Sequence, residues 1–159
     1  MIYLINGLAL LGAFAFMEFV AWFMHKYVMH TFLWSLHRDH HEKDHKKFFE
    51  LNDMFFIVFA TPGILLMYYG YQEATFSDVR FWLGMGITIY GLAYIFAHDI
   101  FIHQRIPPLL KRTDNVYFRA MRKAHKIHHK HLGKQDGECF GFLWVPVKYI
   151  KEAKQRNTV

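Results

Sequence analysis

One arrangement of histidines occurs twice in this chain. The first copy is His25-x4-His30 followed by His37-x2-His40-His41. The second is His98-x4-His103 followed by His125-x2-His128-His129. Ten of the 12 histidines fall inside this doubled pattern, leaving His45 and His131 outside it. On a helix, residues i, i+3 and i+4 share a face. His37, His40 and His41 therefore converge on one side of a helix, and so do His125, His128 and His129. Such clusters make poor protein core. Each packed neutral imidazole leaves an acceptor nitrogen to be satisfied, and protonated imidazoles repel one another. A metal ion removes both difficulties, because it takes the lone pair of the neutral ring. Ten donors are too many for one ion with about four to six positions, and they suit two.

The H-x4-H pairs behave differently. Residues five apart point roughly 140° away from each other on an ideal α-helix. Such a pair converges only where the helix ends or unwinds, unless its two members serve different metals. Spacing alone does not decide between these cases.

The histidines alternate with long apolar stretches. Hydrophobic residues make up 53% of the chain and aromatics 19%, including 17 Phe, which is rich for a soluble domain of 159 residues. Residues 2–24 are apolar except for Asn6 and Glu18. As a helix they reach roughly 34 Å, enough for a hydrocarbon layer of about 30 Å. Ala13-Phe14-Ala15 imitates a signal-peptidase site. The basic leader is missing, however, and the apolar run continues past it, so residues 2–24 read as a retained span. Residues 53–71 form a second span, with a kink expected at Pro62-Gly63. Residues 80–102 form a third, stopped by Pro107-Pro108. Ser35 is the expected N-cap of the His37 helix, whose buried face continues to Phe48 and Leu51. A basic amphipathic helix is expected over about Asn115–Leu132, capped by Asp114 and stopped by Gly133. Residues 139–147 are apolar but too short to span, and read as an interfacial, re-entrant or lid segment. The last twelve residues read as a polar tail. The expectation is one all-α membrane domain over residues 1–159. It has three or four transmembrane helices and a histidine-rich helical cap built from residues 25–45 and 98–131.

Charge orients this arrangement. Net charge is +6, and the apolar runs make a membrane surface, rather than nucleic acid, the partner for it. Of the 19 Lys and Arg, only Arg80 lies between the second and third spans. The rest lie in residues 26–47 and 105–156. The positive-inside rule puts both of those blocks in the cytoplasm. Both histidine copies then lie on the same side of the same membrane, where they can meet.

Imidazole-only ligation suits Zn, Cu, Fe or Ni. A single cysteine, Cys139, excludes a disulfide framework and a cysteine-held iron–sulfur cluster. The soluble di-iron bundles use two E-x-x-H motifs, whereas this chain has one, Glu42 to His45. A haem needs only one or two of these histidines.

The doubled H-x4-H, H-x2-H-H pattern around short spans resembles the fatty acid hydroxylase superfamily of membrane di-iron enzymes. The strings Glu18-Phe-Val-Ala-Trp-Phe-Met-His-Lys-Tyr-Val-Met-His30, Trp34-Ser-Leu-His-Arg-Asp-His-His41 and His125-Lys-Ile-His-His129 carry the likeness, which runs from about residue 10 to 148. Within the superfamily, the short chain is similar to the bacterial branch that hydroxylates carotenoid β-rings. The resemblance implies a monooxygenase holding two Fe ions through His25, His30, His37, His40, His41, His98, His103, His125, His128 and His129. O2 would be co-substrate, and electrons would come from ferredoxin or an NAD(P)H-linked reductase. It implies a carotenoid substrate dissolved in the bilayer, here the bacterial inner membrane, hydroxylated at ring carbon C3. The division of ligands between the two metals is left open. His45 and His131 are open as further ligands. Glu18, Asp39 and Asp99 are candidates to accept an N–H from a ligating imidazole. Two alternatives stand beside this reading: a hydroxylase or desaturase of sterols or fatty-acyl lipids on the same scaffold, and a metal carrier without catalysis.

Overall fold

Three long helices carry most of the apolar sequence. In the computed structural model, which describes residues 1–42, 49–106, 112–133 and 137–155, all regular structure is helical. Helix α1 spans Ile2–Met24 and continues into a π-helical turn, His25–Met29. Helix α2 spans Trp34–His41. Helix α3, Met54–Ala74, follows a 3₁₀ turn at Leu51–Asp53. Helix α4, Val79–Tyr94, runs into a second π-helical stretch, Ile95–Ile102. Helix α5 is Val116–His128 and α6 is Val147–Gln155.

Three continuous helical stretches are long and apolar enough to cross a membrane: Ile2–Met29, Leu51–Ser77 and Val79–Ile102. Their surfaces are the reverse of a soluble protein's. Leu4, Leu8, Leu11, Phe16, Ile57, Val58 and Ile64 point outward. The fully buried large side chains are Phe101, His40, His98 and His128. Apolar outside and imidazole inside is the distribution that a lipid solvent favours.

Helix α4 is the common neighbour, packing along both α1 and α3, which make no comparable contact with each other. Two glycines allow the approach. A Cβ on Gly84 would run into the Gly63 carbonyl of α3, and one on Gly86 into the Leu10 carbonyl of α1. Small residues at helix contacts are how spans pack without a hydrophobic drive between them. Pro62 lies inside α3, which runs unbroken through it. In the turn before it, the Thr61 hydroxyl donates to the Ile57 carbonyl at 2.8 Å.

Several local expectations are corrected. Ser35 is not a cap: α2 begins one residue earlier, behind Leu33. Helix α5 is capped by Asn115, not Asp114. The Asn115 side chain accepts from the N–H groups of Tyr117 and Phe118, and the helix ends at His128, short of Leu132. The tail is not merely polar. Residues Val147–Gln155 form α6, which packs on α5 with Tyr149 and Ala153 buried. Lys148, Lys151 and Lys154 mask that apolar stripe in the sequence. Among the described residues there is no fourth span. Residues 139–146 run without helix beside the histidines, with Phe140, Phe142 and Val145 buried and Trp144 exposed. Phe48 and Pro107-Pro108 lie outside the described residues.

Candidate metal centre

The two π-helical stretches decide how the H-x4-H pairs are used. In each, the N–H of the second histidine bonds to the carbonyl of the first: His30 to His25 at 3.1 Å and His103 to His98 at 2.9 Å. An i+5 to i bond widens the turn by one residue and brings positions five apart onto one face. The His25 and His30 rings lie 5.0 Å apart and the His98 and His103 rings 4.5 Å apart. The helix neither ends nor breaks before the pair; it changes pitch. The chain leaves the second pair through Gln104 at φ 52° and enters the 140s segment through Cys139 at φ 62°. Both values are uncommon for residues with a Cβ.

The imidazoles gather into two groups of nitrogens that lie within 4.8 Å of one another. His25, His30, His37, His41 and His128 form one, and His40, His98, His103 and His125 the other. The Nε2 of His129 lies 2.8 Å from that of His125, beside the second group. Each group therefore takes the middle histidine of the other copy's triplet. His40 leaves its neighbours His37 and His41 to face His98 at 3.1 Å. His128 leaves His125 and His129 to face His30 at 3.2 Å. The helix explains the exchange. His37 and His41, four apart, stack along one line, whereas His40 is offset from both by part of a turn.

Six of the outer nitrogens are held, while Nδ1 of His41 is buried with no hydrogen-bond partner among the described residues. Nδ1 of His25, His30 and His128 faces the carbonyl oxygens of Phe140, Leu132 and Glu138 at 3.0, 2.9 and 3.1 Å. Nδ1 of His37 faces the Asn52 side-chain oxygen at 2.6 Å. His40 and His98 face the carboxylates of Glu50 at 2.9 Å and Asp99 at 2.8 Å. All six acceptors are oxygens, so each of these rings carries its proton on Nδ1 and turns the Nε2 lone pair inward.

That tautomer makes a test of metal binding. Three Nε2 pairs, His25–His37 at 3.0 Å, His30–His128 at 3.2 Å and His40–His98 at 3.1 Å, then bring lone pair against lone pair. Protonating one ring of each pair would relieve this, but the surroundings oppose it. Burial, reinforced by the neighbouring imidazoles, holds His40 well below the ordinary 6.5 and takes His128 down to about 2. Burial takes His37 down to about 3 despite the favourable Asn52 contact. A cation among inward lone pairs relieves all three pairs at once, so the residues fit a pair of imidazole-bound metal ions.

A family profile described as fatty acid hydroxylase matches residues 10–148. The chain belongs to the fatty acid hydroxylase family. As a hydroxylase of this largely iron-dependent family, it is similar to a β-carotene hydroxylase of Pantoea ananas, 39% identical over 92% of this chain and 81% of the relative. It is 36% identical to one from Paracoccus sp. over 90% of this chain and 86% of the relative. The chloroplastic β-carotene 3-hydroxylase 2 of Arabidopsis thaliana is 41% identical over 89% of this chain, which spans 45% of that longer protein. No solved structure matches.

The other residues singled out from the sequence are placed as follows. His131 is in neither group, and His45 lies outside the described residues. Asp99 holds an imidazole. Glu18 and Asp39 do not. Glu18 accepts the Tyr90 hydroxyl at 2.8 Å and the N–H groups of Phe142 and Trp144 at 2.7 and 2.8 Å, so it fastens the 140s segment to α1. Asp39 accepts the Leu51 N–H at 2.5 Å, docking the entry to α3 beside α2. Glu50, Asn52 and Arg105 escaped the sequence reading. Glu50 and Asn52 are a polar patch at the mouth of the second span, 10 and 15 residues beyond the histidines they serve, and Arg105 lies just past His103. The backbone carbonyls carry no sequence signal at all.

A cavity of about 270 Å³ reaches this centre from the apolar side. Met17 and Ala21 of α1, Phe55, Phe56 and Phe59 of α3, Gly91 and Tyr94 of α4, and Ile95 of the second π-helical stretch line it. It ends on His25, His98 and His125, with Phe140 and Phe142 alongside. It lies between the two helices that do not close on one another, with α4 as its back wall.

Proposed function

We propose that this hydroxylase acts on carotenoid β-rings at C3, taking β-carotene through β-cryptoxanthin to zeaxanthin, with two iron ions and O2. One observation carries the reading: an apolar slot between the spans ends on imidazoles from both groups. Its volume lies just under the range of about 300–1,000 Å³ usual for small organic ligands. That suits the ring at one end of a long hydrocarbon, whose remainder stays in lipid between α1 and α3. The names of the bacterial and plant relatives favour the same substrate over sterols or fatty-acyl chains.

The ligands in this reading are His25, His30, His37, His41 and His128 for one ion. His40, His98, His103 and His125, with His129 beside them, serve the other. The bound irons would supply O2 activation. The balance is one C–H bond, O2, two electrons and two protons giving one C–OH and one water. Ferredoxin or an NAD(P)H-linked reductase would supply the electrons. The chain's own residues do the rest. The Nδ1 partners fix the ring orientations, the phenylalanines keep water from the slot, and the phenylalanine and tyrosine faces pack on the β-ring. The distribution of Lys and Arg supports a cytoplasmic histidine face on an inner-membrane protein.

Carotenoid chromatography of a β-carotene-producing bacterium expressing the chain, with and without air, tests this. Zeaxanthin formed only with air is the expected result. Unchanged β-carotene, with the protein inserted and electron donors present, would overturn the carotenoid assignment.

A further inference from the structure

By ligand type alone the two imidazole groups would hold two like ions. Their outer partners are not alike. In the His25 group, the identified Nδ1 partners are three backbone carbonyls and the Asn52 amide, all neutral. In the His98 group, His40 and His98 lean on the carboxylates of Glu50 and Asp99. One guanidinium gathers these carboxylates. Arg105 lies 2.7 Å from Glu50, 2.8 Å from Asp53 and 3.8 Å from Asp99, and only 16% of its side chain is exposed. Three carboxylates around one cation leave a negative balance on this side.

We propose that the two metal positions are electrostatically unlike, and that Glu50 and Asp99, clamped by Arg105, make the His40–His98–His103–His125 position the tighter and more electron-rich one. The inference rests on reading both groups as metal sites. An anionic acceptor draws the Nδ1 proton more strongly than a carbonyl does, which raises the basicity of the opposite Nε2. The carboxylates also attract a dication directly, at close range and with little intervening water. Arg105 is a positioning residue here. Its planar fork ties Glu50, ahead of α3, to Asp99, in the second π-helical stretch. It keeps two like charges beside their imidazoles from the wall of the slot, which Arg105 lines together with Asp53 and Asp99.

The test is stepwise metal binding by metal-free full-length protein in lipid nanodiscs, titrated with Co²⁺ and followed by its visible absorption. Two resolved steps are expected. Glu50→Gln and Asp99→Asn keep an acceptor oxygen and remove the charge. Each should weaken the tighter step about 10–100-fold and leave the weaker step nearly unmoved, whereas Asn52→Ala should shift the weaker step. The wild-type isotherm reads the separation of the steps even where a variant fails to insert. Two steps of equal affinity, or equal shifts of both steps in the charge-removing variants, would overturn the inference alone. Fewer than two bound ions would overturn the two-metal reading and the inference with it.

Discussion

The Nε2 atoms of His30 and His128 lie 3.2 Å apart although 98 residues separate them. The contact belongs to a reciprocal exchange, since His40 makes the matching one with His98 across 58 residues. Neither histidine copy completes a group from its own residues. The centre therefore assembles only when the ends of α1 and α4 are brought together with α2 and α5.

This exchange predicts the result of removing the crossing residues. His40→Ala and His128→Ala should each abolish hydroxylation, by at least about a hundredfold, and lower bound iron while leaving membrane insertion intact. Product chromatography and metal analysis on the same preparation check it. Full turnover in either variant would remove that histidine from its group.

Gly91 shapes the slot. It is half-buried, yet an added Cβ would meet nothing within 4 Å, in contrast to Gly84 and Gly86. Space beside a half-buried backbone is cavity. Gly91→Ala should be tolerated, whereas Gly91→Phe should suppress hydroxylation with metal content unchanged. Normal products from Gly91→Phe would show that the substrate does not use this slot.

Glu18 carries the 140s segment. Hydrogen bonds to a carboxylate contribute about 1.5–3 kcal/mol each. With allowance for partial exposure, Glu18→Ala should cost about 3 kcal/mol and expose residues 137–146 to protease. Limited proteolysis of membranes reads this directly, and an unchanged cleavage pattern would count against the fastening role.

Metal removal should destabilise the fold, because inward lone pairs then face one another unrelieved. Ligand binding to the folded state alone adds about 2.7 kcal/mol at a hundredfold excess over Kd. A chelated sample should melt earlier than one reloaded with Fe²⁺ without air. Coincident melting curves would argue that no ion is held here.

Much of this was legible beforehand. The three apolar helices follow from run length, and the convergence of His37 with His41 follows from helical spacing. The His25–His30 pair was not legible. A π-helical turn leaves no mark in residue identity and depends on how the span must meet its neighbours. The exchange of His40 and His128 is likewise a tertiary fact: spacing says which side of α2 His40 faces, not which partner stands there. The Nδ1 partners fall mostly on backbone oxygens or on Glu50 and Asn52, which a reading centred on histidines passes over. Helix α6 was hidden by its lysines. Its apolar stripe of Tyr149, Ile150 and Ala153 has meaning only against α5.

The π-helical turns also act as a ruler. His25 and His98 are not hung on loops but belong to the last turns of helices whose apolar length sets their depth in a bilayer. Each is a fixed rise of about 1.5 Å per residue from the lipid-facing run before it. The reach of a rod-like substrate into the slot is thereby measured in helix residues. One residue inserted into α1 ahead of His25 would turn His25 and His30 by about a quarter of a circle relative to the face of α1 that packs on α4, whereas the same insertion in the loop between α3 and α4 would be absorbed.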